Sequence, residues 1–244
     1  MKNAAIIVAG GKGVRAGGGL PKQFIELADA PMIFHTLRAF RDFDRNMKIV
    51  VVMNKEYRGM YESMLKDMRD PIDQLIVDGG ATRAESVKAG LECLMKNSDI
   101  DASDMKVAIH DAARPLISPE VIRRGMESVR SGVGAVPVVA IVSSLRQLTG
   151  SDGDCFEERA SRSVDRSNYV EVQTPQIFIL SDIMNAYRKM DDPRNFTDDA
   201  SIAEAAGLGI ALYKGDPANL KVTNPMDFAV AEALISGIRH LSKE

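Results

Sequence analysis

The sequence predicts an α/β fold: a Rossmann-like, mostly parallel sheet with helices on both faces. Three observations predict it. Short, fully apolar runs recur along the chain, as buried parallel strands require. Segments with helical spacing lie between them. Glycine, proline and capping residues punctuate the junctions. The 244 residues, 45% hydrophobic, bury a sizeable core and suit one domain over 1–244, with an inserted arm at about 138–173.

The first strand is "AAIIVA" (4–9), followed by the glycine-rich "GGKGVRAGGGLPK" (10–22). "MIFHTLRAF" (32–40) sets Ile33, Leu37 and Phe40 on one helical face. "KIVVVM" (48–53) and "QLIVDGG" (74–80) are further strands. Thr82 and Glu85 form a capping box, with Val87, Leu91 and Leu94 following at helical spacing. "MKVAIHD" (105–111) is a strand, and Ser118-Pro119 opens a helix that Gly132 is expected to close. "GAVPVVAIV" (134–142) is strand-like. The polar segment 143–173, with a strand-like piece on each side, reads as a protruding hairpin arm or as a surface loop. Thr197 with Asp198 and Asp199 starts a helix that Gly207 stops. "IALYKG" (210–215) is the last strand. Asn224-Pro225 begins a terminal helix with Phe228, Ala231, Leu234 and Ile238 on its apolar face.

Composition narrows the function. A net charge of −3 gives no general attraction to nucleic acid or to an anionic membrane, so local basic sites must bind any anion. Cys93 and Cys155 are far apart and form no metal motif, as expected of a reduced, cytoplasmic protein without zinc. No apolar stretch approaches a membrane span, and "AAIIVA" is too short for a signal peptide.

Parallel α/β sheets bind ligands at the carboxyl ends of their strands, which selects the loops 9–22, 79–83, 111–115 and 214–221. The first loop is not a Walker site. Gly11-Lys12 is followed by Gly13 instead of a hydroxyl residue, and Ile6 stands where the leading glycine belongs. Gly11-x-Gly13-x-x-Ala16 approximates a dinucleotide fingerprint, but Gly17-Gly18-Gly19 and Pro21 follow at once. Glycine costs a helix about 1 kcal/mol and proline about 3, so the long helix that motif needs does not form. An open loop carrying Lys12, Arg15 and Lys22 suits a triphosphate draped along its backbone N–H groups.

In "HDAARP" (110–115), Asp111 holds Mg²⁺ or caps a turn, and Arg114 clamps an anion or makes a surface ion pair; His110 is expected to point into the sheet. In "GGATRAES" (79–86) the capping box leaves Arg83 and Ser86 free at a helix N-terminus. In "NLKVTNP" (219–225) Lys221 precedes the last helix.

Taken in order, "AGGKGVR…LPKQF", "GGATRAES", "HDAARP", "VDRSNYVEVQTPQIF", "TDDAS" and "NLKVTNPMDFAVAEALI" resemble the 2-C-methyl-D-erythritol 4-phosphate cytidylyltransferases over roughly residues 4–236. The resemblance implies a homodimer whose arm reaches into its partner, and condensation of CTP with the methylerythritol phosphate using Mg²⁺. It implies that Ala9, Gly10, Gly11 and Gly13 line CTP, and that Arg15 and Lys22 hold its phosphates. Gly80, Arg83 and Ser86 would meet cytosine and ribose, Asp111 the metal, and Ala112 the nucleotide. Arg114, Thr174, Thr197 and Lys221 would approach the acceptor phosphate, and Arg166 would serve the neighbouring site.

The chain departs from the family at three points. Ala16 stands where Met is usual, the triplet 17–19 is unusually rich in glycine, and Ser143-Ser144 replaces an Asp-Thr or Asp-Ser pair. Ser144 then supplies the hydroxyl toward the acceptor. The lost carboxylate bears on the acceptor's identity, so a ribitol 5-phosphate or other alditol-phosphate cytidylyltransferase is the alternative.

Overall fold

The computed structural model describes residues 1–10, 20–68, 70–97, 101–149, 161–192 and 195–241, with side chains of the last helix described as far as residue 237. The first strand, β1 (Lys2–Ala9), is followed by a small antiparallel pair, β2 (Glu26–Leu27) with β3 (Ala30–Pro31). Strands β4 (Lys48–Met53), β5 (Leu75–Asp78) and β6 (Met105–Asp111) run parallel with β1, which lies between β6 and β4, with β5 outside β4. All the β1 residues from Ala4 to Ile7 are fully buried. That is why the strand reads as a continuous apolar run rather than an alternating one.

Beyond β6 the sheet changes direction. Next in the chain are β7 (Val133–Ala140) and a two-stranded hairpin, β8 (Leu145–Leu148) against β9 (Ser161–Val164). β10 (Val170–Val172) pairs antiparallel with the last part of β7. β11 (Gln176–Ile179) pairs antiparallel with both β6 and β7, and β12 (Gly209–Lys214) pairs parallel with β7. Apart from the two small hairpins, these eight strands form one sheet. Gly134 of β7 is required at the β11 junction, because a Cβ there would stand 2.2 Å from Cε1 of Phe178. Such overpacking costs about 1–3 kcal/mol. Gly134→Ala should therefore lower the thermal midpoint while leaving the circular dichroism spectrum of the folded protein unchanged.

Helices cover both faces. The helix α1 (Met32–Phe43) buries Ile33, Leu37 and Phe40, as its spacing predicts, against the core that holds Ala5, Ile7 and Val51. α2 (Arg58–Lys66) and α4 (Pro119–Ser128) lie on the same side, where Tyr61, Val121 and Ile122 are buried. On the other face α3 (Arg83–Lys96) and α5 (Leu180–Lys189) bury Val87, Leu91, Ile183 and Tyr187 with Ile6 and Val50. α6 (Asp199–Ala205) adds Ile202 and Ala203. The last helix, α7 (Pro225–Leu241), packs Ala231 and Ile235 beside Leu27, Met32 and Val222.

Several boundaries follow local chemistry. Thr82 and Glu85 make a complete capping box on α3. Ser118 caps α4, with Pro119 in its first turn. Gly207, at φ +89°, follows α6 as a left-handed stop.

One expectation is corrected. Gly132 does not close α4, which ends at Ser128; at φ +75° it turns the chain from Arg130 into β7. On the expected face of α7, Ala231 is buried, Phe228 packs against the same cluster and Leu234 is half-buried, with Ile235 buried beside them; the Ile238 side chain lies outside the described residues. Within 143–173, the pairing of β8 with β9 favours the hairpin reading over the loop reading. The hairpin's tip, 150–160, lies outside the described residues.

Candidate active site

The carboxyl ends of β1, β4, β5 and β6 open on a cleft of about 630 Å³, lined by Ala9, Gly10, Lys22, Gly80, Arg83, Ser86, Asp111, Ala112 and Lys221 among others. A hollow of about 770 Å³ lies at the amino ends of β4 and β5, around Lys48 and Leu75. Parallel sheets place their ligands at carboxyl ends, which selects the smaller cleft.

The first wall grows from β1. Ala9 is buried and its carbonyl accepts from Nε2 of buried Gln23, at 2.7 Å. Gln23 belongs to a single 3-10 turn, Lys22–Phe24. No long helix packs after the glycine loop among the described residues, since the next helix starts at Met32. Lys22 donates to the Val222 carbonyl at 2.7 Å, which joins this wall to the far end of the chain. Gly11, Gly13 and Arg15 lie outside the described residues.

The second wall is the N-terminus of α3 with the glycines that precede it. Gly79 donates its N–H to the Met53 carbonyl at 2.7 Å, and a Cβ there would stand 2.8 Å from Oγ of Ser86. A Cβ at Gly80 would stand 2.3 Å from the Glu85 Cβ. Ser86 and Arg83 are not free, contrary to expectation. Ser86 Oγ accepts from the Gly80 N–H at 3.1 Å and donates to the Thr82 carbonyl at 2.9 Å. Arg83 grips Asp199 with two hydrogen bonds, of 3.0 and 2.8 Å, and its Nε reaches Asp111 at 3.3 Å. Both side chains line the cleft with their polar atoms already engaged.

The floor is Asp111, the last residue of β6. It is 8% exposed and faces two cations: Lys221 Nζ at 2.7 Å and Arg83 Nε at 3.3 Å. Burial by itself would raise its pKa. Arg83 and Lys221 outweigh that and hold the carboxyl well below the usual range, so it stays ionised. Ala112 beside it donates its N–H to the Val8 carbonyl at 3.0 Å, which binds the floor to the first wall.

A polar layer lies beneath the floor. His110 is fully buried, and burial pushes its pKa down to about 4, so it is neutral at physiological pH. Its Nε2 lies 3.1 Å from the Arg114 carbonyl, which can only accept, so Nε2 carries the proton. Nδ1 then accepts from the Thr174 hydroxyl at 3.0 Å, and the same hydroxyl accepts from the Asp111 N–H at 3.1 Å. His110 thus points into the sheet, and Thr174 spends its one proton internally. Arg114 is buried, and Nη1 donates to the Asn219 carbonyl at 2.8 Å. Burial lowers its pKa without discharging it.

The structure therefore brings nine of the anticipated residues to one cleft. It puts Arg114 and Thr174 directly below the cleft. Thr197 is exposed, one residue before the Asp198 cap of α6. Ser144 and Arg166 are exposed at the root of the hairpin, where Arg166 donates to the Val142 carbonyl. Gln23, Asp199 and Asn219 support the site and were not anticipated. Asp199 carried a signal only as one acid of a helix start.

A divalent cation fits the donors present in one limited way. Among the described residues, Asp111 is the one carboxylate lining the cleft, and no group of three ligating side chains occurs. One hard oxygen from the protein, with phosphate oxygens and waters completing the shell, is the usual arrangement for Mg²⁺ bound with a nucleotide.

A glycine-bordered cleft with cations on its walls and a carboxylate at a strand end is the form of a phosphate-binding α/β protein. Residues 3–237 match the family IspD, 2-C-methyl-D-erythritol 4-phosphate cytidylyltransferase. The chain is 38% identical to the protein of that name from Bacteroides thetaiotaomicron, over 96% of this chain and 100% of the relative. It is 39% identical to the one from Cereibacter sphaeroides strain ATCC 17023, over 97% and 98%. A crystal structure of 4-diphosphocytidyl-2C-methyl-D-erythritol synthase superposes with a TM-score of 0.78 at 27% identity, covering 96% and 99% of the two chains. The cytidylyltransferase of Thermus thermophilus superposes at 0.69 with 28% identity, over 96% and 98%. The chain belongs to the 2-C-methyl-D-erythritol 4-phosphate cytidylyltransferase family.

Proposed function

We propose that this protein condenses CTP with 2-C-methyl-D-erythritol 4-phosphate, giving 4-diphosphocytidyl-2-C-methylerythritol and pyrophosphate, a step of isoprenoid precursor synthesis. The observation that carries this reading is the cleft itself. Lys22 is bonded to the Val222 carbonyl, and Lys221, the residue before it, pairs with ionised Asp111.

A phosphate oxygen of the acceptor attacks the α-phosphorus of CTP. The bond from that phosphorus to the β-phosphate bridging oxygen breaks, and pyrophosphate leaves with the electron pair. The nucleophile is already ionised, so the site needs charge and alignment more than a base. The residues agree. His110 is neutral and buried under the floor, and no other His or Cys lines the cleft among the described residues. Lys22, with Arg15, holds the triphosphate and stabilises charge gathering on the α-phosphate. Ala9, Gly10, Gly11 and Gly13 follow the phosphates, and Gly80, Ser86 and Ala112 bound the nucleoside. With the Arg83 guanidinium engaged by carboxylates, the backbone of the α3 N-terminus is what it offers to the nucleotide. Asp111 holds Mg²⁺, which neutralises triphosphate charge when bound. Lys221 meets the acceptor phosphate, as does exposed Thr197, with Arg114 and Thr174 supporting from below.

A homodimer completes the site. Val142, Leu148, Tyr169, Val170, Val172 and Leu212 are large apolar side chains left exposed on the hairpin region and the outer strands. A second copy covering them sets Ser144 and Arg166 of one arm toward the other subunit's acceptor. None of the described helices is long and apolar enough to cross a membrane. The CTP pool suits a cytoplasmic enzyme.

Pyrophosphate release from CTP, measured with a panel of alditol phosphates, tests the reading. Turnover is expected with the methylerythritol phosphate. Turnover with ribitol 5-phosphate alone would overturn the choice of acceptor.

A further inference from the structure

Asp199 is fully buried, yet it is not part of the cleft. It is the first residue of α6, and its neighbour Asp198 does the capping by accepting from the Ser201 N–H at 2.9 Å. Asp199 is therefore not needed to start the helix. It turns the other way, accepting both Arg83 hydrogen bonds and the hydroxyl of buried Tyr187 at 2.5 Å.

A chain of alternating charge results: Asp199, Arg83, Asp111, Lys221. Arg83 lies between two carboxylates and serves them unequally. Asp199 receives the planar two-bond grip at 3.0 and 2.8 Å, the strong geometry for this pair, while Asp111 receives one Nε contact at 3.3 Å. Arg83 therefore commits Asp111 through one long contact and not through a two-bond grip.

We propose that Asp199 is a positioning residue that holds the Arg83 guanidinium away from full pairing with Asp111 and so preserves the carboxylate's capacity for a divalent cation. The inference rests on the reading of Asp111 as the cation's protein ligand. Without the Asp199 charge, the guanidinium, on a side chain 29% exposed, has one carboxylate left within reach. It closes on Asp111, which then faces two fully committed cations. A half-buried cation beside an ionised carboxylate pairs with it.

The test is Mn²⁺ binding to the full-length protein with CTP present, read from the loss of the free-ion electron paramagnetic resonance signal, since Mn²⁺ takes the same oxygen ligands as Mg²⁺. Asp199→Asn should weaken Mn²⁺ binding by about tenfold or more, the usual effect of removing a group that orients a metal ligand. The metal's KM should rise with it, more than kcat falls. Tyr187→Phe keeps the charge and should change the affinity little. The double variant Arg83→Gln/Asp199→Asn removes both charges and should bind Mn²⁺ at least as well as the wild type. It also answers the question if Asp199→Asn alone fails to fold. A folded Asp199→Asn with wild-type affinity, a Tyr187→Phe equally impaired, or a double variant weaker than wild type would each overturn the proposal. Wild-type protein that turns over substrates yet holds no Mn²⁺ with CTP would overturn the metal placement on Asp111 and this proposal with it. Absence of turnover from the wild type would instead strike the proposed reaction.

Discussion

Lys22→Ala should cut turnover by about 10²- to 10³-fold or more, the range seen when one group that stabilises transition-state charge is removed. Lys22 is half-buried and stands on a rigid 3-10 turn. Buried Gln23 and Phe24 fix that turn beside β1. The ammonium is thus aimed before substrate arrives, and its alignment costs little at the moment of reaction. Alanine removes the charge and the bond to the Val222 carbonyl, but no part of the core. The variant should keep the native circular dichroism spectrum, and its mass by light scattering should equal that of the unaltered protein. Steady-state pyrophosphate release checks the main effect. Near-normal activity would undo the assignment of the phosphate-binding wall.

Asp111→Asn should be about as damaging, by a different route. The asparagine matches the aspartate in size and leaves the backbone N–H bonded to Thr174. It removes the negative charge that faces Arg83 and Lys221. Two neighbouring cations, one half-buried and one exposed, then have less to balance them, so some stability is lost along with the metal ligand. The sign of the pH effect follows from the depressed pKa of Asp111. Its ion pairs stabilise the folded protein at every pH above the ordinary carboxylate range. That contribution fades only as pH falls through the lowered value. Thermal midpoints should therefore differ between the two proteins at pH 7 and converge in strong acid. Titration calorimetry with CTP and Mg²⁺ should find weaker binding. A fully active asparagine variant would remove Asp111 from the reaction.

What was legible in the sequence was local. Thr82 and Glu85 are three residues apart, so their capping box is written in adjacent letters. The runs 4–9, 48–53 and 105–111 are apolar because both faces of their strands are covered. The loops that carry the cleft followed from where those strands end. The piece after residue 173 read as strand-like, but the antiparallel insertion of β11 between β6 and β7 was not legible, because four residues that pass straight into α5 carry no sign of their direction. Nor was α2, a short helix with one fully buried side chain, Tyr61. Pairings across the chain were beyond reach for a simpler reason. Arg83 and Asp199 are separated by 116 residues, and nothing near either one names the other. Gly132 was misread because a glycine after a helix suggests a helix stop, whereas here Val129, Arg130 and Ser131 intervene.

The segment from Asp216 to Val222 is where most of the chain comes together. Arg114 and Gln173 donate to the carbonyl of Asn219, and Lys221 pairs with Asp111. The N–H of Val222 donates to Ala113, and its carbonyl accepts from Lys22 across 200 residues. During synthesis this segment leaves the ribosome after every strand of the sheet. A nascent chain can form β1 to β12 and still lack the pieces that close the cleft. Catalysis therefore begins only after residues 216–222 have been added, because the strands alone lack Lys221 and the Val222 carbonyl that join the walls of the cleft.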